Sequence, residues 1–161
     1  MHTNCFLLDS EEPRPKLTKQ MVSAAEARLG YKLPVSYLDA IQDFNGGYLR
    51  RFVLELDREI EGQGNLVCMP HIMGIGYRGG IDGELGSNYL IKSWGYPDIG
   101  VVIHSEGHTA IMLDYSVCGV PGEPSVAFVD VGWPDGPRTT MIASDFQTFW
   151  QSLRESDDEV W

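Results

Sequence analysis

Apolar residues recur at helical spacing in two early stretches of the chain and again near its end, with alternating and continuous apolar runs between them. Met21, Val22, Ala25 and Leu29 share one helical face. Thr18 stands before them as an N-cap, Leu17 and Val22 have the spacing of a hydrophobic staple, and Gly30 supplies the stop. A second helix is predicted after Tyr31-Lys32-Leu33. Pro34 suits its first position, Tyr37, Leu38, Ile41 and Phe44 line one side, and Asn45-Gly46-Gly47 ends it. From Phe52 to Leu56 the period is two, a strand. Residues 57–65 are polar and turn-like, and 66–73 read as a second strand broken near Pro70. Six glycines between 74 and 86 predict a flexible loop.

A short helix over 87–94, capped by Ser87, leads to strands at 99–103 and 109–115, joined as a hairpin through Ser105-Glu106-Gly107-His108. A loop at 117–124 precedes a further strand at 125–131. In the last helix Ser144 and Gln147 form a capping-box pair, and Phe146, Phe149, Trp150 and Leu153 fall at i, i+3, i+4 and i+7. This order predicts an α+β fold. An N-terminal helix pair, a largely antiparallel sheet and a C-terminal helix packed on one sheet face make it up, with the other face left to water or a partner. The expected core is Leu33, Leu38, Ile41, Phe44, Phe52, Leu54, Ile103, Ile111, Leu113, Phe146, Phe149 and Leu153. The 161 residues are one domain's worth: a flexible lead-in over 1–16, a single domain over 17–154 and an acidic tail over 155–161.

Charge narrows the function. The net charge is −11, and it is uneven: residues 1–61 carry 10 acids and 8 bases, residues 62–161 carry 13 and 4. Such a field repels phosphate backbones and anionic membranes, disfavouring both, and steers a basic protein partner inward. Three separated cysteines without a CxxC argue against a disulfide framework or zinc knuckle. No apolar run approaches a membrane span and no leader pattern opens the chain, so a cytoplasmic protein is expected.

Candidate chemistry is thin. Gly74-Ile75-Gly76-Tyr77-Arg78-Gly79 fits G-x-G-x-x-G, but Gly80, Gly83 and Gly86 follow where a dinucleotide site needs a helix. His104 and His108 flank a turn; with His71 or Glu106 they could make a metal site, but two exposed turn histidines and no bound metal are expected. Asp114 and Asp130 read as turn caps at strand ends. No cofactor is expected. Trp94-Gly95-Tyr96-Pro97-Asp98 and Gly132-Trp133-Pro134-Asp135-Gly136 each set a tryptophan beside proline and aspartate. Core packing is the plainer reading of Trp94, whereas Trp133 reads as a rim anchor. The candidate contact residues are therefore Asp82, Glu84, Trp94, Asp98, Trp133 and Asp135, on the acidic C-terminal two-thirds and away from the N-terminal helices.

Leu29-Gly30, Leu33-Pro34, Tyr37, Leu38 and Phe44-Asn45-Gly46-Gly47 resemble the N-terminal signature of the SUKH superfamily, Smi/Knr family. Ile99 to Ile103 with Ala110 to Asp114 is similar to its paired central strands, and Ile142-Ala143-Ser144-Asp145-Phe146 with Phe149 and Leu153 to its closing helix. The likeness spans 17–154, though segment 57–86 matches nothing in it. The resemblance implies an α+β domain without catalytic residues. It further implies an immunity protein that neutralises a cognate toxin, commonly a nuclease, or a regulator that scaffolds other proteins. A small enzyme or sensor with a His/Asp site around His104, His108 and Asp114 is the remaining alternative.

Overall fold

Thr18 Oγ1 accepts the Met21 amide at 3.2 Å and starts α1 (Lys19–Leu29), which Gly30 closes in the left-handed region with its amide on the Glu26 carbonyl. Both ends lie where cap chemistry puts them. The computed structural model describes Phe6 and residues 14–157. Four helices and several antiparallel sheets make it an α+β fold, with the C-terminal helix packed on the main sheet.

The second helix departs from expectation at both ends. Pro34 is its cap in extended conformation, and α2 runs only over Val35–Ala40. The Gln42 amide reaches the Asp39 carbonyl at 3.3 Å, a tightened last turn that ends the helix before Phe44. Gly46 and Gly47 do adopt positive φ, 88° and 129°, but they turn the chain into β1 (Gly47–Tyr48) instead of ending the helix.

Strand β1 pairs with β4 (His71–Ile72), and β2 (Val53–Ile60) pairs with β3 (Gly64–Cys68). The stretch 57–60, expected as turn, is therefore strand. It alternates poorly because Glu55, Asp57, Arg58 and Glu59 lie on the exposed part of a two-stranded ribbon. After α3 (Ser87–Trp94), strands β5 (Gly100–Ser105), β6 (Thr109–Asp114), β7 (Ser125–Asp130) and β8 (Arg138–Ala143) form one antiparallel meander, and α4 (Phe146–Ser152) closes it. Strand β8 went unrecognised: its residues, RTTMIA, carry little apolar alternation, and Met141 is exposed.

The expected open sheet face is not there. Residues 101–104, 110–113 and 126–129 are buried without alternation, so both faces of β5, β6 and β7 are covered. The edges are occupied too. On β5, the Met73 amide donates to the Ile103 carbonyl at 2.9 Å and Ser87 Oγ accepts from Val102 at 2.8 Å. On β8, Arg58 donates to the Met141 carbonyl. Pairing of this kind removes a template for aggregation. Ser87 is thus buried on a strand edge, and Gly86 occupies the cap position of α3. Likewise Asp145, not Ser144, caps α4, accepting the Thr148 amide at 2.7 Å.

Nine of the twelve expected core residues are buried; Leu38, Phe44 and Phe52 are half-buried against the same cluster. Most of the lead-in lies outside the described residues. Of its described members, Phe6 joins the core and bridges to Leu49, and the Pro15 carbonyl is bound by Asn45. The glycine-rich segment is also ordered by its own backbone: Ile81 to Gly74 at 2.8 Å, Leu85 to Arg78 at 3.0 Å and Ser87 to Ile81 at 2.9 Å. Ile75 and Ile81 within it are buried. The glycines are there because backbones approach too closely for side chains, as where a Cβ on Gly46 would stand 2.6 Å from Tyr77 Oη.

Candidate protein-binding surfaces

The six candidate contact residues fall in separate neighbourhoods. Trp94 ends α3, 43% exposed, and meets the His108 ring edge-on at 5.7 Å. Its indole also lies over Gly107, so the hairpin tip and the end of α3 form one aromatic corner. The adjacent 132–136 loop is tied down from within. Trp133 Nε1 donates to Asp130 Oδ2 at 3.0 Å, and the Arg138 guanidinium lies 3.4 Å from the ring centroid. Arg138 in turn pairs with Glu61 at 2.9 Å and Asp135 at 3.6 Å. Trp133 is therefore half-buried under the β2–β3 ribbon, held by a cation–π contact whose cation is its own neighbour in the fold.

Asp82 and Glu84 lie on the ordered glycine segment beside the end of α1. Asp82 Oδ1 accepts the Gly76 amide at 2.9 Å, and the Asp82 carbonyl takes Arg28 at 2.8 Å. Glu84 pairs with Arg78 at 3.5 Å, both side chains exposed. Asp98 is exposed, and its charge adds to the burial that raises the Tyr31 phenol above its ordinary range. Asp114 and Asp130 cap their turns as expected, accepting Ser116 and Gly132 amides at 2.9 and 2.8 Å.

The hairpin histidines are not alike. His108 is exposed, but His104 is buried, with Nε2 3.1 Å from Glu106 Oε1. A bulge falls just before it: Val102 pairs with Met112 and His104 with Ile111, so Ile103 is an extra residue and His104 shares its sheet face with Ile111. Burial lowers the His104 pKa against the pull of Glu106 and of the His71 backbone. His71 is lowered to about 4, by burial first and then by His104 and Arg14. The His71 imidazole is thus neutral in the folded protein where the unfolded chain would protonate it. The unfolded state binds more protons between pH 6.5 and about 4, so stability falls as pH drops through that window. After discount for solvent screening, His71 should contribute about 2 kcal/mol of that loss. Urea midpoints at pH 7 and pH 4.5 should separate accordingly, and His71→Gln should shrink the separation; an equal separation in the variant would clear His71.

Sequence reading missed one concavity. A groove of about 680 Å³ runs between α2 and α4, lined by Val35, Ser36, Asp39, Ala40, Arg51, Glu123, Asp145, Gln147, Trp150 and Gln151. Its acids come from α2, from the 117–124 loop and from the α4 cap, far apart in sequence, and no local motif joins them. The helical spacing of Trp150 with Phe146 was the only visible sign.

Among the described residues no group of three His, Cys, Asp or Glu is placed to hold a metal ion. None of their helices is long and apolar enough to cross a membrane. Against this geometry, the sequence profile of the SMI1/KNR4 family (SUKH-1) matches residues 16–152. The chain belongs to that family. No curated protein and no solved structure matches it.

The residues that carry the resemblance serve the scaffold in this SMI1/KNR4 chain. Gly30 closes α1, Pro34 opens α2, and Phe146 is fully buried. Asn45 is buried and clamps two segments: Nδ2 donates to the Pro15 and Ile75 carbonyls, and Oδ1 accepts the Ile75 amide at 2.7 Å. The family match therefore fixes the frame, and the acidic surfaces hang on it.

Proposed function

We propose that this SMI1/KNR4 domain acts without catalysis, as an immunity protein that binds and neutralises a basic toxin, most simply a nuclease. The observation that carries the reading is the net charge of −11, concentrated beyond residue 61. A nuclease must present cations to phosphate, and an acidic domain that covers them competes with the nucleic acid for the same surface. Desolvated aromatics such as Trp94 would supply affinity, and surrounding carboxylates on-rate and selectivity. The family resemblance also supports it, through its bacterial immunity members.

Asp82 belongs in the acidic field, but its carboxylate also holds the Gly76 amide. The clean test therefore reverses Glu84, Asp98 and Asp135 to lysine, all exposed and at most in surface ion pairs. A partner is first captured from native lysate and identified by mass spectrometry. Association of the triple variant with it should slow about tenfold at low salt and lose most of its salt dependence. Stability should change by less than about 1 kcal/mol. Unchanged association kinetics would leave the acidic field as a solubility device and sink the proposal.

A further inference from the structure

From the groove between α2 and α4 we infer a second contact site, one that takes an extended polypeptide segment in which a cationic side chain stands beside an apolar one. The inference rests on the proposed reading only for the partner's charge. The groove's volume of about 680 Å³ is in the range of built ligand sites. Its apolar part is Val35, 71% exposed on a helix whose other face is core, and the partly buried Trp150, whose ring stacks on Phe146 at 5.7 Å. A rigid tryptophan of that kind suits an anchoring contact.

Around it stand Asp39, Glu123 and Asp145, against one lining cation, Arg51. Arg51 is already engaged, donating Nε and Nη2 to the Leu153 carbonyl at 3.0 and 2.7 Å. Burial and then the charge of Asp145 raise the Glu123 pKa, while the Thr148 amide holds Asp145 below the usual carboxylate range. A bound ammonium or guanidinium relieves that repulsion. A second copy of this chain is a poor occupant, because two bodies of net charge −11 repel.

The probe is a blocked pentapeptide alternating arginine and leucine, titrated into the ¹⁵N-labelled full chain, with a glutamate-for-arginine peptide as control. The Trp150 indole and Ser36 amide signals should shift saturably, more tightly at low salt, and the control should leave them unmoved. Glu123→Gln with Asp145→Asn should weaken binding about tenfold, since two surface charge pairs are lost while asparagine keeps the α4 cap. Unchanged affinity in that variant, shifts confined to the Glu84 or Asp98 neighbourhoods, or equal binding of the glutamate peptide would each overturn the site. If a captured toxin binds the E123Q/D145N protein normally, the groove inference falls and the proposed function stands. If the peptide fills the groove yet no toxin is neutralised, the proposed function falls alone.

Discussion

Replacing Phe149 with alanine should cost about 3–5 kcal/mol and lower the melting temperature by about 10 °C. The ring has no exposure and lies 6.0 Å from that of Phe146, which meets Tyr37 edge-on at 5.6 Å. Tyr37 is buried as well, with its hydroxyl on the Met73 carbonyl at 2.5 Å. A chain of three rings thus joins α4 to α2 and, through Met73, to the edge of β5. Emptying one link leaves a cavity that the sheet behind it is too closely packed to refill. Urea unfolding should show a lower midpoint at constant slope. Val117→Ala, at a residue 98% exposed, is the matched control and should stay within about 0.5 kcal/mol. A Phe149→Ala loss near that of the control would mean α4 does not close the core.

What was legible in the sequence follows from which forces are local. Thr18 and Gly30 cap a helix through groups three or four residues away, so both ends of α1 could be read. The β5–β6 hairpin was readable because its strands are contiguous and its turn contains the one residue, Gly107, that takes positive φ there. The Asn45-Gly46-Gly47 turn was misread because the same residues suit a helix stop. Only the approach of Gly74 and Tyr77, some thirty residues on, shows what the glycines accommodate. Adjacent cap formers explain the one-residue error at α4: Ser144 and Asp145 can both cap, and the longer acceptor reaches Thr148. The β2–β3 ribbon was as hard to see: residues 57–60 are polar, and only pairing with Gly64–Cys68 makes them strand.

The candidate surfaces were less legible than the fold, for the same reason. Charge is additive along a sequence, so the acidic excess could be counted; its grouping depends on topology. Trp133 had the composition of an interface anchor, yet Arg138, at the start of an unrecognised strand, comes to lie on its ring. His104 had the position of an exposed turn residue, yet the fold buries it beside Glu106. Asp39, Glu123 and Asp145 share a groove across more than a hundred residues of chain. Those juxtapositions exist only once the helices have packed.

Asn45 should be nearly as costly to remove as a core aromatic. Asn45→Ala leaves the Ile75 amide without its acceptor and the Ile75 carbonyl without its donor in a buried site, and also releases the more exposed Pro15 carbonyl. Each stranded buried group costs about 1–3 kcal/mol, and partial relaxation should bring the total to about 3 kcal/mol. Asn45→Asp is the sharper test. It keeps an acceptor for Ile75 N–H, but it replaces the donor by a charge aimed at two carbonyls, so it should be no better tolerated than alanine. The readout that separates this clamp from a bulk packing effect is amide hydrogen exchange. Protection at Ile75, Ile81 and Leu85 should collapse in both variants while β6 and β7 stay protected. The glycine segment's own bonds, such as Ile81 to Gly74, would then be shown to depend on the clamp. Persistent protection there would show that those bonds suffice, and that Asn45 orders only the lead-in at Pro15.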